Sequence, residues 1–120
     1  RIRGPFNLST IALAAANSAL SDLDYVKKCR NENSRLRDWL SNALSNLGLE
    51  SDKSDANFIL ARFKGAEQAA ACYKSLYADG LIVRQVANYN LPNCLRITIG
   101  DEAACKRIHS SVRSFLERIK

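Results

Sequence analysis

GLIVRQVANYNLPNCLRITIG, residues 80–100, carries the clearest strand pattern of the chain. It contains two short apolar runs that are rich in β-branched residues, at residues 81–83 and 95–99. The segment between the runs is polar and contains three asparagines and a proline. Such runs, separated by turn-forming residues, are typical of neighbouring strands. The stretch therefore predicts two paired strands and a connecting loop.

Each predicted strand carries one arginine at its loop end. Arg84 closes the first strand, and Arg96 is the second residue of the next. Because side chains alternate along a strand, Arg96 and Thr98 share one face and the leucine and isoleucines share the other. If the strands are antiparallel neighbours, both guanidinium groups lie at one end of one sheet. Each guanidinium presents a planar set of N–H donors, and two of them together can bind a doubly anionic small molecule. The alternative is two solvated arginines at strand ends.

The length of the chain, 120 residues, predicts one domain that is small for a complete enzyme. The sequence begins at Arg1 and contains no methionine, so we expect a fragment of a longer chain. No apolar run approaches the roughly 18 residues that a membrane span requires, and the first residues lack the layout of a signal peptide. We therefore expect a cytoplasmic protein with no membrane partner.

The net charge of +6 and the pI near 9.4 raise the question of nucleic-acid binding. The basic residues within residues 27–37 are interspersed with acids, however, as on a solvated helix face, and we expect no nucleic-acid partner. Four widely spaced cysteines without a C-x-x-C motif, and a single histidine, argue against a metal site. We expect Cys72 and Cys105 to be buried thiols rather than disulfide partners, and His109 to be exposed.

Capping residues and apolar spacing predict the remaining elements. The order is helix, helix, strand, helix, strand, strand, helix, which predicts an α+β domain with a mainly antiparallel three- or four-stranded sheet covered by helices. Trp39 and Leu40 are predicted core anchors, and residues 50–55 a turn. The first, alanine-rich helix is expected to pack against a missing part of the protein. The predicted boundaries are a helix over residues 11–20 capped by Ser9 or Thr10, a helix capped by Ser21 or Asp22 that ends near Asn46 before Gly48, a strand over 57–63, a helix over 66–78 that Gly80 ends, and a last helix capped by Asp101.

Four segments together resemble the C-terminal small domain of histidinol-phosphate aminotransferases. They are PFNLS at residues 5–9, SDANFILARF at 54–63, GLIVR at 80–84 and CLRITIG at 94–100. The resembled enzymes are fold-type I pyridoxal-phosphate transaminases of histidine biosynthesis. The resemblance implies an interdomain linker over residues 1–8 and the small domain over 9–120, with the large cofactor-binding domain absent.

The resemblance also implies roles for the two arginines. Arg96 holds the α-carboxylate of the amino-acid substrate, and Arg84 lies at the phosphate of histidinol phosphate. The second substrate pair is glutamate and 2-oxoglutarate, and the family works as a homodimer. The lysine that forms the Schiff base lies in the large domain, so the resemblance implies no catalytic residue here. The fragment alone is expected to bind no pyridoxal phosphate and to be inactive.

Two related families and one unrelated class remain as alternatives. Threonine-phosphate decarboxylases and aromatic-amino-acid transaminases share the domain and its arginines, and the sequence does not choose among the three. Tyr89 and Asn90, in the loop over residues 85–94, bear on that choice. The alternative from a different class is a free-standing anion-binding module whose native start lies just before Arg1.

Overall fold

The computed structural model describes residues 7–119, so residues 1–6 of the predicted linker lie outside the described part. The described chain contains four α-helices and a four-stranded sheet. It divides into two compact units, one up to Asn31 and one from Glu32 onward. The helices are α1 (Thr10–Ser21), α2 (Leu23–Ser45), α3 (Ala66–Ala78) and α4 (Glu102–Arg118); the strands are β1 (Glu50–Ser51), β2 (Phe58–Arg62), β3 (Arg84–Val86) and β4 (Leu91–Thr98).

The first unit contains α1 and the beginning of α2. The predicted caps are confirmed: Ser9 Oγ accepts a hydrogen bond from the Ala12 N–H at 3.1 Å, and Asp22 Oδ1 accepts one from the Tyr25 N–H at 3.0 Å. These side chains satisfy N–H groups that have no partner inside the helix. No residue of α1 is buried, and Ile11 is 83% exposed. No helix in the described part is both long and apolar enough to cross a membrane.

The second unit is built on an antiparallel sheet with the strand order β1-β2-β4-β3. The predicted α+β class and the antiparallel sheet are thereby confirmed. The core side of β2 presents Ile59 and Ala61, and that of β4 presents Leu95 and Ile97, each at most 1% exposed. Side chains of three helices complete this core, namely Leu36, Leu40 and Leu44 of α2, Cys72 and Leu76 of α3, and Cys105, Ile108, Val112 and Phe115 of α4.

The strand predicted at residues 81–83 is wrong: that segment has no regular structure, and β3 begins only at Arg84. Gly80, with φ of +74°, ends α3, and the Leu81 N–H donates to the Leu76 carbonyl at 2.8 Å. This bond satisfies a carbonyl group in the last turn of the helix. Leu81 and Val83 are 8% exposed, so their apolar character reflects burial in the core rather than strand pairing.

Three further expectations differ from the structure. Trp39 is 36% exposed, because Leu36, Leu40 and Leu44 form the buried line of α2 at four-residue steps and Trp39 lies beside it. His109 is half-buried rather than exposed, with its ring 6.0 Å from that of Trp39 in an edge-to-face arrangement. Within the predicted turn over residues 50–55, the first two residues form β1. This strand is too short and too polar to show the apolar pattern from which strands are predicted.

Candidate anion-binding site

Arg84 and Arg96 lie directly opposite each other on the neighbouring strands β3 and β4. Directly opposed residues of an antiparallel pair project to the same face, so the two side chains share one face, as the sequence predicted. Their position relative to the loop was wrong. Arg84 begins β3 instead of closing a strand, and Arg96 is the sixth residue of β4, because β4 already starts at Leu91.

Arg96 is a half-buried cation with an aromatic neighbour. Its guanidinium carbon lies 4.4 Å from the centroid of the Phe58 ring, and its Nε is buried without a hydrogen-bond partner among the described residues. No ion pair within residues 7–119 includes Arg96. Removing an arginine from water is costly unless an anion pairs with it. The geometry therefore favours an anion supplied from outside the described residues.

Arg62 occupies the same face but has a partner within the chain. Its guanidinium donates to the Asp52 carboxylate through two nitrogens, and its Nη1 lies 3.6 Å from Cys94 Sγ. These hydrogen bonds to Asp52 raise the pKa of Arg62 above its usual value. The sequence pattern gave no indication of this pairing. Since its donors are occupied, Arg62 ties β2 to the segment after β1 rather than offering a binding site.

Arg84 is exposed and has only weak contacts with Tyr89. Its Nη2 donates to Tyr89 Oη at 3.5 Å, and its guanidinium carbon is 5.7 Å from the ring centroid. Tyr89 ends the single 3₁₀ turn that leads into β4, and Asn90 follows with φ of 60°. Both distances are near the outer limit of such contacts. The Arg84 guanidinium is therefore free to turn toward a ligand.

A cavity of about 280 Å³ opens on this face of the sheet. Its lining combines the Arg96 side chain with an otherwise largely apolar wall formed by Phe58, Leu60, Val86, Tyr89 and Leu91. An apolar wall lowers the local dielectric constant and so strengthens the attraction between a cation and a bound anion. The site is suited to a small molecule that has an anionic group beside a less polar part.

The cysteines of the second unit are free thiols in buried positions. Burial raises the pKa of Cys72 to about 12 and also raises the pKa of Cys105, so both thiols stay protonated and unreactive near neutral pH. All four cysteines are free, and Cys29 in the first unit is exposed. No group of three or more His, Cys, Asp or Glu side chains within residues 7–119 is placed to hold a metal ion.

The sequence model of the aminotransferase class I and II family matches residues 1–112. The chain belongs to this family. Among its curated relatives, the histidinol-phosphate aminotransferase of Cereibacter sphaeroides is 56% identical over 115 residues, which are 96% of this chain and 32% of that protein. The histidinol-phosphate aminotransferase of Paracoccus denitrificans is 54% identical over 116 residues, with 97% and 32% covered. These names confirm the resemblance to histidinol-phosphate aminotransferases, and the C-terminal placement stays a prediction.

Solved aminotransferases share the fold. A histidinol-phosphate aminotransferase from Sinorhizobium meliloti, in complex with pyridoxal-5'-phosphate, superposes with a TM-score of 0.88 at 28% identity, covering 99% of this chain and 33% of that one. A putative aminotransferase from Burkholderia pseudomallei gives a TM-score of 0.85 at 23% identity, with 95% and 34% covered, which shows the fold alone. The chain therefore spans about a third of the length of the relatives it matches.

The family implies pyridoxal phosphate, and the lysines show whether the cofactor fits this part of the protein. A lysine that forms a Schiff base has its amine activated by desolvation or by another cation. All six lysines within residues 7–119 are exposed, so none of them fits this role.

Proposed function

We propose that the chain is the small, C-terminal domain of a pyridoxal-phosphate-dependent transaminase that transfers an amino group between histidinol phosphate and 2-oxoglutarate. Residues 1–8 form the linker from the large domain, and residues 9–120 form the small domain. The observation that carries the proposal is the direct opposition of Arg84 and Arg96, with Arg96 lacking a carboxylate partner in the described chain. The names of relatives that share more than half of its residues support the substrate.

The proposed work of this domain is to bind and orient the substrates. Arg96 binds the α-carboxylate of glutamate or 2-oxoglutarate through its planar pair of N–H donors. Arg84 binds the phosphate of histidinol phosphate. Because histidinol phosphate has no carboxylate whereas glutamate has two, the same pair of arginines serves phosphate in one half-reaction and carboxylate in the other. We further propose that the full protein is a cytoplasmic homodimer.

The position of the domain in the longer protein is tested by its gene. Since the relatives are matched over 32% of their length, we expect roughly two thirds of the coding sequence to lie upstream of Arg1. That upstream region should encode a strand-borne lysine able to hold the cofactor. A coding sequence that instead continues mainly beyond Lys120 would show that the C-terminal placement is wrong.

The reaction is tested with the purified native-length protein through its visible absorbance. Binding of pyridoxal phosphate gives a visible band, and we expect histidinol phosphate to bleach this band within the time of one turnover. Phenylalanine and threonine phosphate are the matched alternatives, and each should bleach the band far more slowly. Faster bleaching by either compound would assign the protein to the corresponding related family. A native chain of only this length with no such band would favour the anion-binding module.

Arg84→Ala is expected to weaken the use of histidinol phosphate selectively. Losing one charge-assisted contact with the phosphate should lower kcat/KM for histidinol phosphate by more than 1 kcal/mol, or about fivefold or more. The measurement is steady-state kinetics with each substrate varied in turn. Arg113→Ala is the matched control, since Arg113 is an exposed arginine of α4 whose Nε lies 3.8 Å from the Glu117 carboxylate. An unchanged kcat/KM in Arg84→Ala would remove this arginine from the phosphate site.

A further inference from the structure

We propose that Phe58 is a positioning residue that holds the Arg96 guanidinium in its binding orientation. This inference rests on the proposed function, since it concerns the arginine that receives the substrate carboxylate. Phe58 begins β2 and pairs with Thr98, whereas Arg96 pairs with Leu60 on the same strand. Phe58 is therefore the diagonal neighbour of Arg96 on the binding face, a distance that an aromatic ring and an arginine can bridge.

The contact turns Arg96 away from the other arginine. Its guanidinium carbon lies 4.4 Å from the Phe58 centroid, so the side chain leans across the sheet toward β2. Arg84 lies on the opposite neighbour, β3, directly across from Arg96. Like charges directly opposite each other in a sheet repel. The ring thus offers Arg96 a favourable position on the side away from that repulsion, and Arg84 has its own aromatic neighbour in Tyr89.

An aromatic ring also leaves the donors of the guanidinium available. The attraction acts between the cation and the face of the ring, so it uses none of the N–H groups in conventional hydrogen bonds. Arg62 shows the contrasting arrangement on the same face, since the Asp52 carboxylate occupies two of its nitrogens. Phe58 therefore orders Arg96 without neutralising it. The Arg96 side chain thus loses conformational entropy before the substrate binds, and this lowers the entropic cost of binding.

The test is direct binding to the native-length protein. Glutarate is the probe, because it is a dicarboxylate without an amino or keto group and cannot enter the reaction. Calorimetric titration of Phe58→Leu should give a Kd about fivefold higher than that of the unmodified protein, in the range of a partly desolvated cation–aromatic contact. Phe58→Tyr keeps the ring and should stay within about twofold. In kinetics the change should appear in KM for glutamate, with kcat nearly unchanged.

Two matched controls separate positioning from packing. Phe63→Leu makes the same substitution in the same segment but on the core side, where Phe63 is 4% exposed; it should lower the melting temperature and leave the glutarate Kd unchanged. Pentafluorophenylalanine at position 58 keeps the shape of the ring and reverses its electrostatic character. It should weaken glutarate binding as much as Phe58→Leu does, and it decides the matter if the leucine variant does not fold.

The outcomes for Phe58 and for the proposed function are distinguishable. Unchanged glutarate binding in both Phe58→Leu and the fluorinated protein would overturn the positioning role. Equal weakening in the tyrosine, leucine and fluorinated proteins would assign the effect to cavity shape and overturn it as well. A native protein that binds glutarate but does not transfer the amino group of histidinol phosphate would contradict the proposed function alone, and the calorimetric comparison would still decide the role of Phe58.

Discussion

Arg96→Leu in the native-length protein is expected to lower kcat/KM for glutamate by about 100-fold, close to 3 kcal/mol. The reason is that the variant removes two parallel charge-assisted hydrogen bonds to the carboxylate and leaves the substrate charge against an apolar wall. Arg96 is the one cation among the residues that line this cavity, so the remaining lining side chains offer no positive charge in its place. Steady-state kinetics with glutamate as the varied substrate provides the measurement.

Two substitutions make this result specific. Arg96→Lys keeps the charge but loses the planar fork, and it should recover only part of the activity. Arg62→Leu removes another arginine from the same face, but that arginine is already paired with Asp52. It should lower thermal stability and leave KM for glutamate within about threefold of the unmodified value. A value of kcat/KM for glutamate that stays near normal in Arg96→Leu would exclude Arg96 as the carboxylate ligand.

Leu40→Ala is expected to destabilise the domain by about 3 kcal/mol. Leu40 is 0% exposed at the centre of the buried line of α2, and truncating such a leucine costs transfer free energy and leaves a cavity. Hydrogen exchange of the native-length protein, followed by mass spectrometry, should show faster exchange in peptides that cover β2 and β4. Their stable amides exchange by opening of the core, so the loss of stability appears there directly.

Ile82→Ala is the control for this core substitution. Ile82 is 83% exposed although it lies between the buried Leu81 and Val83. Its truncation should change stability by less than about 0.5 kcal/mol. If Leu40→Ala leaves the exchange of β2 and β4 as slow as in the Ile82→Ala protein, then α2 does not contribute to the same core.

The elements that the sequence predicted well are those fixed by local chemistry. Ser9 and Asp101 accept hydrogen bonds from their helix N–H groups, and Gly48 and Gly80 adopt positive φ at helix ends. Each helix cap or helix end is formed by one residue and its near neighbours, so the residue type is enough to predict it. The prediction of a strand at residues 81–83 was wrong because an apolar run indicates burial but not strand pairing. Leu81 and Val83 are buried without pairing with a neighbouring strand.

The sequence predicted only the part of the candidate site that two consecutive strands form. The pairing of Arg84 with Arg96 follows from two consecutive strands joined by a loop, and the sequence predicted that they meet. The contact between Phe58 and Arg96 depends on β2 inserting next to β4, across the helix α3, and no local pattern specifies this order. The pairing of Arg62 with Asp52 likewise requires β1, which was not recognised.

The two edges of the sheet limit how copies of this protein associate. One edge is β1, which has two polar residues, and the other is β3, which has three residues and a register shift between Gln85 and Val86. Short and irregular edge strands expose few free backbone groups in line, so they are poor templates for another strand. Extension of this sheet from one molecule into the next is therefore disfavoured at both of its edges.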